Sequence, residues 1–311
     1  MGFAGGKTKV KDSFLPILNA VALEMRCYIE IFCGGGTIGR CIERKSGYIF
    51  SDLDPSLMCL LYSLKDGTFE THRHVCTRMN REEFQQILRD TKTAMNTDKT
   101  LDEIVKDTDL YTRLLDRGVA CYVYGHCKGP LGYQKQDRRE YYTNQIEGWL
   151  RLAKSPAFKA CELRRCSYDA YSNEKDAVIF ADPPYKDCES DNEKHYPILK
   201  HAPFSRDKFW RWFRHVSTNN FAYCTDISVP HVMVALAKYT AGDRREFIFV
   251  ARYSLAVEYY FDLLSALPVP IKIPSSSFQV CSSAPPSGKL GAGGEADRDT
   301  SSRRGHGFTR R

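Results

Sequence analysis

The chain has 311 residues, of which 42% are hydrophobic, and it carries a formal net charge of +7 at pH 7. This length allows one large domain, or one core with an inserted lobe, and no apolar run approaches the roughly 18 residues that span a bilayer. The first residues lack the apolar stretch of a signal peptide. We therefore expect a soluble, cytoplasmic protein, or a nuclear one in a eukaryotic host.

The first part of the sequence alternates between strand and helix patterns. Tyr28–Phe32 and Tyr48–Ser51 are β-rich runs, with a predicted helical stretch over Thr37–Lys45 between them and a helix starting near Pro55. Proline suits the first turn of a helix, where its missing N–H would be unpaired in any case. This order predicts a parallel sheet with crossover helices.

Residues 66–165 interrupt that rhythm and predict an inserted, mostly helical lobe. Glu82–Leu88 and Leu101–Leu115 have helical patterns, whereas Gly118–Gln136 is rich in Gly, Tyr and Lys. The strand rhythm returns at Ala177–Ala181, an apolar run typical of a buried strand.

Later elements complete the predicted sheet. Aromatic and apolar residues at helical spacing predict a helix over Ser205–Val216, and Phe221–Cys224 predicts a strand. Phe247–Val250 and Val257–Phe261 are read as a terminal antiparallel pair. Residues 268–311 hold seven Lys/Arg against three Asp/Glu within a Ser/Pro/Gly-rich composition, which predicts a disordered basic tail.

The cysteines and histidines give no metal signature. Twelve cysteines in a chain without a leader favour reduced thiols, and no Cys-x-x-Cys pair is present. Neither of the nearest clusters has a second ligand pair at zinc-finger spacing, so we expect no metal. These clusters are His72, His74 and Cys76, and then Cys121, His126 and Cys127.

The strongest chemical signal is Asp182-Pro183-Pro184-Tyr185, directly after a buried strand. An adenine amino group is a poor nucleophile because its lone pair is delocalised into the ring. A carboxylate that accepts its N–H can localise that lone pair, and the two prolines fix φ so that a backbone carbonyl can serve as a second acceptor. Tyr185 offers a ring on which an extruded base can stack. A purely structural alternative is that these residues form an ordinary polar turn. The tetrapeptide alone would also serve methyl transfer to guanine N2.

A second signal lies earlier in the chain. Phe32 and Cys33 are followed by Gly34-Gly35-Gly36, a loop that lets the backbone approach a ligand closely. Asp52 ends the next strand, where an acid can accept hydrogen bonds from ribose hydroxyls, and Asp54 is its rival. No Gly-x-Gly-x-x-Gly is present, which favours S-adenosylmethionine over a dinucleotide.

In their order along the chain, these motifs resemble those of the Dam-like, alpha-group DNA adenine N6-methyltransferases, especially phage and viral members. The likeness covers residues 1–262, including Gly5-Gly6-Lys7, Phe209–Trp212, Tyr223-x-x-Asp226 and the stretch Tyr124–Tyr133. It implies an α/β fold with the Rossmann-like sheet of S-adenosylmethionine-dependent methyltransferases. Residues 1–65 and 166–267 would form the catalytic domain, and residues 66–165 the target-recognition lobe.

The resemblance also implies roles for individual residues. Phe3, where the family usually has Trp, would line the cofactor site, and Lys7 would contact the cofactor or the target nucleotide. Phe32, Gly34 and Gly36 would flank the methionine part of S-adenosylmethionine, while Asp52 would bind its ribose. Asp182, next to both ligands, would receive the target amino group, and Tyr185 would stack on adenine. The methyl group would move by direct displacement onto a flipped base.

The lobe carries a cluster of cations interleaved with tyrosines, which can bind phosphates or fill the gap left by a flipped base. We expect double-stranded DNA as substrate, with a cognate restriction endonuclease as a possible partner. The alternatives are an RNA or guanine-N2 methyltransferase and an inactive DNA-binding remnant. The predicted DNA-facing residues are Lys128, Tyr133, Lys135, Arg138 and Arg139.

Overall fold

The computed structural model describes residues 7, 11–44, 47–126, 129–133, 139–184, 203–227, 229–231, 233–241 and 244–259. These residues belong to one compact unit, Met1–Gln279, while the second unit, Val280–Arg311, falls outside the described ranges. The predicted disordered tail, residues 268–311, therefore lies outside the described residues. Within those ranges, no helix combines the length and the apolar content that a membrane crossing needs.

Nine strands are present in the described part of the chain, and seven of them form the main sheet in the order β5-β2-β1-β6-β7-β9-β8. The strands are β1 (Cys27–Ile31), β2 (Tyr48–Asp52), β3 (Gly125–His126), β4 (Gly129–Tyr133), β5 (Cys161–Arg165), β6 (Ala177–Ala181), β7 (Phe221–Asp226), β8 (Met233–Ala241) and β9 (Arg244–Ala251). The first five in the sheet order run parallel. β9 is antiparallel to both β7 and β8, so the sheet ends in an antiparallel hairpin. The predicted α/β sheet is confirmed.

The helices pack on both faces of this sheet. They are α1 (Lys11–Ala22), α2 (Pro55–Asp66), α3 (Arg73–Cys76), α4 (Arg81–Asp90), α5 (Leu101–Lys106), α6 (Thr108–Val119), α7 (Arg139–Lys154), α8 (Pro156–Ala160) and α9 (Arg206–Val216). Alternate residues of β1 serve different faces: Tyr28 joins the core beneath α1, α2 and the inserted helices, whereas Ile29 and Ile31 join the core under α9. β1 and β6 are buried along their whole length, and apart from Glu30 in β1 their residues are apolar.

Helix α2 begins and ends where its sequence indicates. The Asp54 side chain accepts hydrogen bonds from the backbone N–H groups of Ser56 and Leu57, and Pro55 occupies the first helical position. Gly67 ends the helix with φ at 84°, a left-handed conformation that costs glycine little. The strand–loop–helix unit that follows β2 is therefore fixed by local chemistry.

The prediction of a helix over Thr37–Lys45 is wrong. Only Gly39–Cys41 is helical among the described residues of that stretch, as a single 3₁₀ turn. The backbone N–H of Gly39 donates to the buried Glu30 carboxylate at 2.6 Å, and a Cβ at Gly39 would lie 2.2 Å from that carboxylate. This hydrogen bond and close contact hold the loop against the sheet, in a conformation that a regular helix cannot adopt.

The inserted region also differs from the predicted pattern. Leu101–Leu115 is not one helix, because Asp107 separates α5 from α6 and caps α6 through the N–H of Leu110. The Gly- and Tyr-rich segment contains a π-helical turn, Ala120–Tyr124, and the small hairpin of β3 and β4. The mostly helical character is otherwise as predicted.

The inserted region ends earlier in the sequence than predicted. The predicted lobe reached residue 165, yet β5 pairs in parallel with β2 and belongs to the main sheet. At Gly118, α6 lies so close to α2 that an added Cβ would lie 2.3 Å from the Ser56 carbonyl oxygen. One apolar core continues from α2 into the inserted helices, so the lobe shares its interior with the sheet layer.

The predicted terminal pair is wrong as well. Phe247–Val250 lies in β9, but its partners are β7 and β8 rather than Val257–Phe261. Residues 255–259 are helical, and residues 260–261 lie outside the described ranges. β8 was missed because alanines such as Ala235 and Ala237 have low β-propensity, so pairing with β9 rather than local preference makes this strand.

Candidate active site

The candidate site lies where the parallel strands β1, β2, β6 and β7 end. Phe32 follows β1 with a left-handed φ of 57°, and the loop after it continues through Gly34 and Gly36 at φ of 49° and 57°. Gly36 is required in its place, since a Cβ there would lie 2.8 Å from the Phe50 ring. In open α/β sheets, ligands bind at this edge.

Asp52, at the end of β2, faces this loop. Its carboxylate accepts the backbone N–H of Gly34 at 3.2 Å and that of Asp54 at 3.1 Å. Burial raises the pKa of Asp52 to about 6, although these N–H donors oppose the shift. Unlike the four residues before it in β2, Asp52 is partly exposed at this edge of the sheet.

Asp54, the rival acid, is engaged elsewhere. It is buried, and besides capping α2 it accepts the Ser56 hydroxyl at 2.6 Å. Its second carboxylate oxygen accepts the hydroxyl of Tyr122, from the inserted region, at 2.7 Å. These bonds give Asp54 a structural role and leave Asp52 as the acid that faces the glycine loop.

Asp182 follows β6 and is surrounded by polar partners. The Lys7 ammonium lies 2.5 Å from its Oδ2, and the Thr225 hydroxyl donates to its Oδ1 at 2.9 Å. The same ammonium lies 2.8 Å from Oε1 of the fully buried Glu246, in β9. Burial raises the pKa of Asp182 and the Lys7 charge opposes this rise, while Glu246 adds to it. Lys7 therefore bridges two carboxylates.

Sequence reasoning missed Thr225 and Glu246. Thr225 lies within the Tyr223-x-x-Asp226 likeness, which offered a signal for it. Glu246 had none, because its approach to Lys7 depends on the hairpin that β8 and β9 form at the edge of the sheet.

Pro183 and Pro184 are buried, and the Pro184 carbonyl accepts a hydrogen bond from the Arg206 guanidinium at 2.9 Å.

Phe32 is partly exposed, and the centre of its ring lies within 6.0 Å of the ring centres of Tyr168, Phe204 and Phe209. The structure thus brings Lys7 and Asp182 together, and it places Phe32, Gly34 and Asp52 around one loop. Phe3 and Tyr185 lie outside the described residues.

The predicted DNA-facing set can be placed only in part. Lys128, Lys135 and Arg138 lie outside the described residues, and Arg139 is described only as the first residue of α7. Tyr133 is half-buried, donates its hydroxyl to the Met79 carbonyl at 3.1 Å and packs against Phe84. Tyr133 therefore helps to hold the hairpin against α4, and its contact with DNA stays a prediction.

The residues around the glycine loop fit S-adenosylmethionine by the chemistry of their donors and acceptors. Asp52 offers carboxylate oxygens for hydroxyl groups, and the loop places backbone close to the same edge. Within the described ranges, no group of three or more His, Cys, Asp or Glu side chains could hold a metal ion. A seven-stranded sheet with a terminal antiparallel hairpin, an acid at the end of β2 and an Asp-Pro-Pro turn after β6 together define a methyltransferase.

Residues 3–238 match the family model described as D12 class N6 adenine-specific DNA methyltransferase. The chain belongs to this family: it is an adenine-specific DNA methyltransferase that uses S-adenosylmethionine to methylate N6 of adenine. This membership selects adenine in DNA over the RNA and guanine-N2 alternatives.

Comparison with other proteins adds little. A solved structure described as putative methyltransferase yhhF from Escherichia coli is similar at 10% identity over 80% of this chain and 88% of that chain, with a TM-score of 0.30. No curated protein matches the chain.

Proposed function

We propose that the target amino group binds at Asp182, on the opposite side of β1 from the ribose site at Asp52. The observation that carries this proposal is the partly exposed Asp182 carboxylate, held between Lys7 and Thr225 at the end of a buried strand. An acceptor whose position is fixed before the base arrives needs no reorganisation during the reaction.

The second acceptor in this proposal is the Pro183 carbonyl. The Pro184 carbonyl already accepts from Arg206, whereas no donor among the described residues reaches the carbonyl of Pro183. Proline has no N–H, so the Asp182–Pro183 and Pro183–Pro184 peptide groups present only acceptors. An Asp182 oxygen and the Pro183 carbonyl would then accept the two N–H groups of the adenine amino group.

Lys7 acts on Asp182 in this scheme rather than on the cofactor. Its ammonium opposes the effect of burial on the pKa of Asp182, which favours the ionised carboxylate that the amino group needs. Asp52 and the glycine loop would hold S-adenosylmethionine, with Phe3, Phe32, Gly34 and Gly36 around its methionine part and Tyr185 stacked on the target base. S-adenosylmethionine supplies an electrophilic methyl group when it is bound.

The inserted region is proposed as the target-recognition lobe. Tyr122 links it to the strand edge by its hydroxyl bond to Asp54, and Lys128, Lys135, Arg138 and Arg139 supply positive charge in its sequence. Replacing each of these four cations by Ala should weaken duplex binding, with a fall in salt slope of about one unit for each lost phosphate contact. Unchanged affinity, salt slope and site preference in all four variants would remove them from the DNA surface.

The residue roles can be tested on a random-sequence duplex, with modified adenines read by single-molecule sequencing. The wild-type chain should methylate adenine at a defined site, and Asp182→Ala should lose catalysis while it retains S-adenosylmethionine binding. Near-normal turnover by Asp182→Ala would contradict its proposed role.

Two finer points are proposed on the sequence likeness alone. The Phe209–Trp212 and Tyr223–Asp226 motifs support kinship with phage and viral members of the family, and a cognate restriction endonuclease is proposed as partner. Co-expression of the chain with its neighbouring reading frames, followed by cleavage of unmethylated duplex, tests the second point. If unmethylated duplex were not cleaved at the sequence that the chain methylates, this point would be contradicted.

A further inference from the structure

Arg206, the first residue of α9, contacts the Asp-Pro-Pro turn directly. One guanidinium nitrogen, Nη1, donates to the Pro184 carbonyl at 2.9 Å, and the other, Nη2, donates to the carboxylate of Asp226. Neither the sequence motifs nor the family likeness assigned Arg206 a role.

The surroundings of Arg206 fix its guanidinium firmly. Asp226, the last residue of β7, is fully buried, and its other oxygen accepts the N–H of Ile227 at 2.7 Å. On its other side, the guanidinium lies 5.4 Å from the centre of the Trp210 ring, within range of a cation–π contact. A buried carboxylate that lost this partner would be left without its counter-charge, so the pair is held together strongly.

We infer that Arg206 is a positioning residue that sets the orientation of the Asp-Pro-Pro turn, with Asp226 holding its guanidinium in place. A peptide group is planar, so fixing the Pro184 carbonyl fixes the plane of the peptide bond that follows it. It also occupies one of the two proline carbonyls of the turn, which leaves that of Pro183 to the substrate. A flat guanidinium can bridge two acceptors at fixed angles, which a lysine ammonium does not reproduce.

This inference rests on the proposed role of the Asp182 turn and predicts a loss of rate rather than of binding. Small misplacements of reacting groups can cost about 100-fold in rate. We therefore expect Arg206→Lys, which retains a positive charge beside Asp226, to lower the single-turnover methylation rate about 10- to 100-fold. The dissociation constants for S-adenosylmethionine and for the target duplex should change by less than about twofold, since phosphate and ribose contacts lie elsewhere.

The experiment compares Arg206→Lys, Arg206→Ala and Asp226→Asn with Arg214→Ala, an exposed arginine on the same helix. Each variant is assayed for single-turnover rate, both dissociation constants, melting temperature and the fluorescence of 2-aminopurine at the target position. We expect Arg214→Ala to behave as wild type. Free guanidinium should restore part of the rate of Arg206→Ala but not of Asp182→Ala.

Two results would overturn the inference. One is a wild-type rate for Arg206→Lys in a preparation where Asp182→Ala is inactive, which would leave the role of Asp182 standing. The other is a parallel fall of rate, both affinities and melting temperature in every Arg206 variant without rescue by guanidinium, which would make Arg206 a merely structural residue. An active Asp182→Ala variant would instead contradict the proposed function itself.

Discussion

Asp52 and Asp182 end strands on either side of β1, yet they are held in different ways. Asp52 accepts only backbone N–H groups within the described part of the chain, from Gly34 and Asp54. Asp182 accepts a hydroxyl from Thr225 and lies against the Lys7 ammonium, which in turn contacts Glu246. One carboxylate is thus held by neutral dipoles and the other by a charged group.

This difference matches two kinds of ligand chemistry. Ribose hydroxyls are neutral, so a carboxylate that binds them needs orientation and access. The amino group of adenine gains positive charge as it is methylated, so its acceptor must remain ionised at the moment of reaction. Burial raises the pKa of both carboxyl groups, but only Asp182 has a cation that opposes the rise.

The largest effect should come from exchanging each carboxylate for its amide. Asp182→Asn should lower the methylation rate about 100- to 1,000-fold and leave the dissociation constant of S-adenosylmethionine nearly unchanged, because one electrostatic contact to the reacting group is lost. Single-turnover kinetics and calorimetry on the same preparation measure both quantities. If Asp182→Asn mainly weakened cofactor binding, the two carboxylates would not have separate roles.

Asp52→Asn should show the opposite pattern. Loss of a charged acceptor for two hydroxyls should weaken S-adenosylmethionine binding by roughly 1.5–3 kcal/mol, with little change in the rate at saturating cofactor. In the wild-type chain, affinity should also fall as the pH drops below about 6, since Asp52 is then protonated. Asp54→Asn is the matched comparison and should alter stability instead. Cofactor affinity independent of pH between 5 and 7 would contradict the role of Asp52.

The sequence indicates the positions of these two acids but not the partners that surround them, for a physical reason. Each acid belongs to a local pattern. Asp182 begins Asp-Pro-Pro-Tyr directly after a buried strand, and Asp52 ends the strand that follows the glycine loop. Because these strands belong to one parallel sheet, both acids lie at the same edge. Lys7 contacts Asp182 from far away in the sequence, and Glu246 reaches Lys7 through the terminal hairpin, so no local spacing encodes either approach. The predicted helix over Thr37–Lys45 is wrong because the carboxylate of Glu30, a residue of β1, accepts the N–H of Gly39.

Removing the Lys7 charge should make the two carboxylates more alike. Without it, Asp182 and Glu246 face each other in a buried site, and the pKa of Asp182 should rise further. Lys7→Met should therefore move the acid limb of the rate–pH profile to higher pH, with an about tenfold loss for each unit at a fixed pH below the limb. Lys7→Arg, which keeps the charge, should move it less. A profile unchanged in Lys7→Met would show that Lys7 does not control the ionisation of Asp182.

Glu30 provides the most selective test, because it lies on β1 between the two acids. Burial raises the pKa of Glu30 to about 8, although the N–H of Gly39, which donates to its carboxylate, opposes this rise. Glu30 is therefore mostly protonated at neutral pH. A carboxyl group whose pKa is raised on folding binds a proton in the native state that the unfolded chain has released. Its contribution to the free energy of unfolding therefore falls as the pH rises from about 4.5 to about 8.

Glu30→Gln removes that titration but keeps an oxygen that can accept from Gly39. The free energy of unfolding of this variant should therefore depend less on pH over the same window than that of the wild type, by on the order of 1.4 kcal/mol for each unit of pKa shift removed. Urea unfolding at a series of pH values measures this difference. Glu43→Gln, an exposed change in the same loop region, is the control and should reproduce the wild-type slope. Equal slopes in Glu30→Gln and the wild type would mean that Glu30 titrates normally, and that the strand between Asp52 and Asp182 carries a third ionised carboxylate.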